Sequence, residues 1–448
     1  MRVGIIIILL FISGGLSSQI SYREIDSTSY AFYLSSNWNE LIELSKQNKE
    51  HSYHYYNVRV GMAYFFTNDF KSAAAYFSTA LDQNNNELAR EYLYWAYSYL
   101  GYLVEAEKEF ALLSKETKDR INRVDIPIIG DTYLEAGTKL SQDTSVAKNL
   151  NYIGLQAQLN LNKLHGLAVK YSFANQTTNW GNFNQNEFCL QSNKALKKGW
   201  TLSSNLSYYQ YQSSLSFFAD ETIQGEPFTV GTFTIDSLAV LSTRHIGTLN
   251  QNSLFVGTGV KKWINKFFVQ GQVHHYASAN TSNYFQILGG EYTYNVSSNG
   301  FTNSSQVGRF DTTFVDTISK VNTTQLGFSI DYLIKAKKFS IQPGLQMAYA
   351  ISDTNRFSLV PQLAINCEKW GLQLSYLQKK EQSLYLMTGN TLINTRNNID
   401  YRWGLTTRFK LSDKLDLYLT GQIDQQKDFF SLQTYNTYSF FTGLNFRL

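Results

Sequence analysis

Two cysteines, Cys189 and Cys367, in 448 residues exclude a disulfide scaffold. Four prolines exclude a proline-rich linker or a disordered chain. Charged residues make up 17%, well under the roughly 25% of an ordinary soluble domain. After the first residues no apolar run approaches the ~18 needed for a spanning helix, so the mature chain is not built on transmembrane helices. What is abundant is aromatic: 31 tyrosines, 30 phenylalanines and 7 tryptophans. Asn, Gln, Ser and Thr supply the polarity that charge does not, a mixture suited to many long strands.

Met1 to Ser18 reads as a secretory signal peptide: Arg2, then the apolar run Val3 to Ile12, then small residues Ser13, Gly14, Gly15, Ser17 and Ser18. Ten apolar residues fall short of the ~20 that cross a bilayer as a helix. No cysteine follows the run, which speaks against lipid anchoring.

From Ser21 to about Arg123 the apolar spacing is helical, and two segments superimpose at an offset of 33 residues. The first has Val60, Gly61, Tyr64, Ala73, Phe77 and Ala80; the second has Leu93, Tyr94, Tyr97, Ala106, Phe110 and Leu113. Small residues at Ala73 and Ala106 let paired helices approach, while Phe77 and Phe110 fill the gap between pairs. This pattern resembles the tetratricopeptide repeat, a helix-turn-helix unit of ~34 residues. Trp38 to Leu44 resembles the remnant of an earlier copy, giving about three repeats over residues 20–126. Such a stack implies a surface for a peptide or protein partner. His51 and His54 have metal-like spacing beside Glu50, but with no further ligand in view they read as surface histidines.

Beyond Pro127 the period becomes two. Ile399, Tyr401, Trp403, Leu405, Phe409 and Leu411 alternate with Asp400, Arg402, Gly404, Thr406, Arg408 and Lys410. Leu415 to Ile423 and Leu326 to Ile334 repeat the pattern. Runs of roughly 10 to 13 residues exceed the ~5–6 of soluble strands and fit tilted strands crossing a bilayer. The fold class expected is therefore α-helical repeats followed by a transmembrane antiparallel β-barrel over 127–448. About sixteen strands are counted, within a range of 12 to 16, starting near residues 132, 149, 166, 182, 200, 252, 267, 284, 306, 322, 339, 357, 370, 399, 415 and 435. Short Lys-bearing turns lie near Lys163, Lys194 to Lys198, Lys261 to Lys266, Lys335 to Lys338, Lys369 and Lys414. They alternate with longer polar loops, the longest at 213–251 and 381–398. An even strand count with the C-terminus in the periplasm puts the helical repeats there too. Pro343 and Pro361 sit inside strand runs and imply at least one bulge.

In the last strand Tyr438, Phe440, Leu444, Phe446 and Leu448 face one way, and Gly443 precedes Phe446 by three. This resembles the C-terminal signal read by the outer-membrane barrel assembly machinery. Leader, repeats and barrel together resemble YaiO-type outer-membrane barrel proteins and the repeat-bearing barrels that export exopolysaccharides. The resemblance implies an outer-membrane location, lipid around the barrel and a periplasmic protein bound by the repeats.

Three functions follow: a channel or exporter, a membrane-anchored docking protein, or an outer-membrane lipid-modifying enzyme. For the last, the residues near the end of a strand are His274 and His275 beside Ser278 and Asn280, and only one of two adjacent histidines can face the lumen. His165 falls in a turn and His245 in a loop. With no catalytic set otherwise in view the chain is read as a non-enzyme. No phosphate loop, metal cluster or nucleic-acid motif is present, and no cofactor is expected. Residues 20–126 carry 11 basic and 15 acidic side chains, net −4, and residues 127–448 carry 27 and 20, net +7. Alternation puts Lys261, Lys335, Arg402, Arg408, Lys410 and Arg447 on the inner face, with Asp416 the main opposing charge. A ring of like charge in a narrow passage favours anions, which points to anionic solutes such as acidic saccharides.

Overall fold

A computed structural model describes residues 22–121, 123, 126–142, 147–178, 181–230, 233–298, 301–352, 355–386, 391–427 and 434–447. The apolar leader and Leu448 lie outside them. The chain divides into two compact units, one running to Asp125 together with Ala195–Trp200, the other holding the remainder.

Seven helices are described in the first unit: α1 (Tyr22–Leu34), α2 (Trp38–Gln47), α3 (His54–Phe66), α4 (Phe70–Gln83), α5 (Glu87–Tyr99), α6 (Leu103–Leu112) and α7 (Lys115–Ile121). The first six form three helix pairs. Each pair turns through one left-handed residue, Ser36, Asn68 or Gly101, at intervals of 32 and 33 residues. In each turn an amide reaches back five residues: Asn37 N to Phe32 O, Asp69 N to Tyr64 O and Tyr102 N to Tyr97 O, all 2.9 Å. That is the six-to-one bond of a Schellman cap, which ends one helix and starts the next within three residues. The earliest copy, visible in sequence only from Trp38, is thus a whole pair.

Packing explains the repeated residue types. Val60, Ala73, Phe77 and Ala80 are fully buried, and Leu93 and Ala106 nearly so. A Cβ on Gly61 would lie 2.8 Å from Phe77 Cε1, so the glycine is the seat of the Phe77 ring. Tyr64, Tyr97 and Phe110 are only half-buried. Phe110, placed like Phe77, meets Tyr94 and the Arg123 guanidinium, which lies 3.9 Å from its ring centre.

In the second unit fourteen strands run antiparallel: β1 (Ile129–Ser141), β2 (Ala147–Asn162), β3 (His165–Thr178), β4 (Gly181–Ala195), β5 (Thr201–Gln224), β6 (Phe233–Ile264), β7 (Phe267–Ser298), β8 (Phe301–Tyr332), β9 (Phe339–Ile351), β10 (Arg356–Cys367), β11 (Trp370–Leu386), β12 (Thr391–Ser412), β13 (Leu415–Lys427) and β14 (Thr434–Phe446). Neighbours in sequence pair, and β14 pairs with β1, so the sheet closes. Two short strands, Phe228–Val230 and Ile334–Lys335, sit in connections.

The count differs from the sixteen starts because Tyr284 lies inside β7, and Gln306 and Asn322 both lie inside β8, each of these strands being 32 residues long. The expected loops 213–251 and 381–398 are likewise largely strand, belonging to β5, β6, β11 and β12. Polar residues on both faces read as loop because alternation is imposed by a bilayer on one side, and these arms extend past the ~10 residues a bilayer takes. Pro343 and Pro361 make no bulge. The β9–β10 register runs unshifted from Phe339↔Cys367 to Ala350↔Arg356. Pairing is interrupted instead on each proline's other side, between Ile341 and Gly344 toward the β8 side and between Leu359 and Gln362 toward β11, where a missing N–H costs least.

Both ends of the barrel chain, Ile129 and Phe446, lie at the same end of the ring because fourteen is even. The Lys-bearing connections share that end, called here the short-turn end.

Candidate functional site: the inner wall of the barrel

Exposure alternates along each strand, and the two faces differ in chemistry. Leu254 and Val256 on β6 and Val273 on β7 point outward and are 44–46% exposed, while Ser253, Phe255, Gln272 and His274 between them are buried at 1–8%. Outward faces are apolar and inward faces largely polar, the reverse of a soluble sandwich. Some inward aromatics and aliphatics, Tyr209, Phe255 and Tyr276 in one cluster, Leu377 and Ile399 in another, are 0–6% exposed. Side chains rather than water fill the interior beside them.

The inner wall carries two charged clusters. On β12 and β13, which pair directly at Arg402↔Asp424, the Arg402 guanidinium grips Asp424 with Nε–Oδ1 2.6 Å and Nη2–Oδ2 2.8 Å. Lys139 of β1 reaches the same carboxylate at 3.6 Å across β14, the strand that closes the ring. Asp424 is 1% exposed, so its two cations compensate a charge that water cannot reach. On β3 to β5, Glu187 accepts from Ser172 Oγ at 2.7 Å, Lys170 Nζ at 3.2 Å and Tyr209 Oη at 3.0 Å. On β1, Glu135 accepts from Tyr133 Oη at 3.2 Å.

The charges expected to form a ring have separate fates. Arg447, just past β14, pairs with Asp416, and its amide donates to Lys414 O at 2.8 Å. Lys410 stands opposite Asp416 in register, yet its ammonium goes to Asp413 in the β12–β13 turn at 2.7 Å. Arg408 stands opposite Tyr418. Lys261 reaches Asn193 Oδ1 at 3.4 Å, the long limit of a hydrogen bond. Lys335 is not on the wall: it lies past the end of β8, exposed in the two-residue strand paired with Ser340. Arg402 joins Asp424 rather than the ring. Alternation puts Lys261, Arg402, Arg408 and Lys410 on one face of their strands, misplaces Lys335, and does not give the partners, since a carboxylate one or two strands away is not adjacent in sequence. Lys139, Lys170, Glu135 and Glu187 were missed, although Tyr133, Glu135, Gly137 and Lys139 alternating with Leu134 and Leu140 carry the same signal as β12.

His274 faces inward and stacks on Phe255 with centroids 4.9 Å apart; His275 faces outward, with Nδ1 3.2 Å from Thr324 Oγ1. Ser278 Oγ meets Asn280 Oδ1 at 3.2 Å. His274 is four strand residues from Ser278, roughly 13 Å along the strand, so these two do not pair. His165 Nε2 lies 2.8 Å from Ser192 Oγ. The side chain of His245 is outside the described set. In the helical unit His54 Nδ1 meets Ala80 O at 2.9 Å and His51 sits edge-on to Tyr22, so the two histidines serve different neighbours.

In β14, Phe440 and Phe446 point outward at 56% and 40% exposure, with Tyr438 and Leu444 on the same face. Gly443 points inward, where a Cβ would sit 2.3 Å from Tyr133 Oη, so the glycine makes room for a tyrosine of the closing partner β1.

No protein-family model matches the chain, and no curated protein matches its sequence. Solved structures similar to it are outer-membrane barrels of Gram-negative bacteria. The CymD monoaromatic hydrocarbon channel is 8% identical over 71% of this chain and 88% of its own, with a TM-score of 0.42. The Pseudomonas putida toluene transporter TodX is 7% identical over 71% and 90%, TM-score 0.39. The translocator domain of the autotransporter NalP from Neisseria meningitidis is 9% identical over 77% and 96%, TM-score 0.35. These are likenesses in barrel architecture, without residue correspondences.

Proposed function

We propose that the chain is an outer-membrane channel or export component whose lumen passes small or polymeric solutes, with a periplasmic stack of tetratricopeptide-like repeats before it. The observation that carries this reading is the division of the closed sheet into an apolar outer face and a charged, hydrogen-bonding inner face. A membrane anchor needs only the first; a polar wall has a use when something polar crosses. The three helix pairs, their 32- and 33-residue intervals and the Gly61–Phe77 seat support the repeat assignment. With the leader at 1–18 and the closing signal in β14 they fit a YaiO-type barrel or a short exopolysaccharide exporter.

Solute preference follows from which charges stay uncompensated. Arg402, Arg447 and Lys410 are matched by carboxylates. Arg408 and Lys261 face the neutral groups Tyr418 and Asn193, so these two, near the short-turn end, are the source of an anion preference extending to acidic saccharides. Single-channel recording in a planar bilayer, with reversal potential across a salt gradient, tests the reading. Anion preference is expected, weakened by Arg408→Glu and Lys261→Glu more than by Lys410→Gln. Cation preference defeats the solute assignment.

A second reading is favoured by the interior clusters around Phe255 and Ile399: the barrel is an anchor and the repeats dock a periplasmic protein. Absence of conductance from folded, inserted protein is the outcome that selects it.

A further inference from the structure

Charge is not spread evenly around the short-turn end of the barrel. The β2–β3 turn carries Lys163, and the β10–β11 turn sets Glu368 beside Lys369. At β12–β13 Asp413 holds Lys410 at 2.7 Å, and Arg447 pairs with Asp416. The β4–β5 turn carries Lys197 and Lys198 but belongs to the helical unit, where the Lys198 amide donates to Glu105 Oε1 at 2.9 Å. The corner between β6 and β9 differs. Asn265, left-handed at φ 55°, turns β6 into β7 with Lys266 beside it, and the Leu333 amide donates to Lys266 O at 2.8 Å, which clips the β8–β9 connection to this turn. Residues 264–267 and 333–339 hold Lys266, Lys335, Lys337 and Lys338 and no acidic residue. All four lysines are exposed, and among the described residues no carboxylate pairs with any of them.

The apolar outer face of the sheet begins directly at these lysines. Ile264, Phe267, Ile334 and Phe339 lie on its outward rows at 43–47% exposure. Farther along the same face a groove of about 560 Å³ crosses β4 to β7, lined by Leu190, Leu206, Val256, Thr258, Val273 and His275 among others. Thr258 is six residues from Ile264 on β6, and Val273 is six from Phe267 on β7. Six residues span roughly 20 Å along a strand, or about 15 Å of depth at a tilt of ~40°, which is one leaflet of a ~30 Å hydrocarbon core. We propose that the corner and the groove together bind one anionic phospholipid, its phosphate on the four lysines and an acyl chain laid past Phe267 into the groove. The two halves select the ligand jointly. Ammonium groups at a membrane surface attract a phosphate whose charge no amine cancels. A free phosphate or an acidic polysaccharide would leave the apolar groove unfilled, and a zwitterionic lipid would leave the lysines unmatched. Lysines that merely snorkel would ring the barrel evenly, whereas these four gather at one corner, one leaflet's depth from the groove.

The inference rests on the barrel lying in a bilayer, and the test separates the two. Val260→Trp places a reporter between corner and groove, and Leu419→Trp places one on β13, seven strands away in the ring of fourteen. Both positions face outward at 40–42% exposure, each four residues from the short-turn end of its strand. The full-length chain is inserted in vesicles of fixed phosphatidylcholine and phosphatidylglycerol content, with bromine carried on the chains of one lipid or of an equal amount of the other. Quenching is read as the difference between each variant and wild type. Brominated phosphatidylglycerol is expected to outcompete brominated phosphatidylcholine several-fold at Val260→Trp and to match it at Leu419→Trp. Adding Lys266→Gln, Lys335→Gln, Lys337→Gln and Lys338→Gln together should bring Val260→Trp down to the level of Leu419→Trp. Equal quenching by the two lipids at both reporters, an equal preference at both, or a preference that survives the four substitutions overturns the site and leaves the barrel reading intact. Loss of the preference in millimolar inorganic phosphate overturns the lipid assignment, since the corner then binds phosphate without its chains. No quenching by either lipid at either reporter overturns the barrel reading, and the site with it.

Discussion

At the residue scale two carboxylates show how burial changes the worth of one interaction. In the helical unit Asp26 accepts from Tyr53 and from Arg59, with Arg59 Nη1 at 2.6 Å, and these hydrogen bonds hold its carboxyl below the ordinary range. Burial, with help from the same carboxylate, pushes the Tyr53 phenol up to about 12. A lowered acid contributes stability above its unfolded pKa and loses it as pH falls through the folded value, so the Asp26 contribution disappears below about pH 4. A raised phenol contributes below its unfolded pKa and loses that as pH climbs from about 10 toward 12. Asp26 is 49% exposed, so its share is less than about 1 kcal/mol. Thermal melts of the helical signal should show a flatter acid limb in Asp26→Asn and a flatter alkaline limb in Tyr53→Phe; unchanged limbs would refute the assignment. Asp424 is the opposite case. Asp424→Ala leaves Arg402 and Lys139 buried without their counter-ion, and the expected cost is about 3 kcal/mol or more. It should be visible as a lower temperature for the change in gel mobility on heating.

At the element scale the helices were legible because each copy repeats a contact that small and large residues must share. Gly61→Ala tests that contact: alanine gains about 1 kcal/mol in helix propensity, but its methyl collides with the buried Phe77 ring, an overpacking cost of about 1–3 kcal/mol. Net destabilisation is expected in denaturant titration, and stabilisation would show that Phe77 moves freely. The strands were legible where a bilayer imposes alternation, as along Tyr401 to Leu411. They were not legible beyond it, where Tyr284 and Gln306 lie inside strands that continue with cross-strand pairs such as Phe285 and Phe314. Arg402 and Lys335 show the limit for the site: period two gives the face of a residue on a strand, but whether it is still on the strand, and which carboxylate stands one strand away, are matters of register. Lys139 meeting Asp424 depends on β1 closing on β14, a contact between residues 285 positions apart in sequence.

At the scale of the whole molecule, the two units hold separate cores, since the buried clusters of the helices and those of the barrel share no residue. Removing residues 20–126 should therefore leave a barrel that inserts and keeps its heat-dependent gel mobility; loss of that mobility would show that the repeats are required for barrel folding. One feature of the barrel has a price in the concentrated protein. β8 pairs with β7 along its whole length but with β9 only over residues 324–331, so among the described residues 301–323 present one bare edge. Phe314 and Ile318 on that stretch are 56% and 69% exposed, with no proline or bulge to blunt it. Such an edge is a template for adding further strands. The sheet that closes on itself at β1 and β14 is thus left open along this arm, and sticky, fibre-forming growth would start there rather than from the ring.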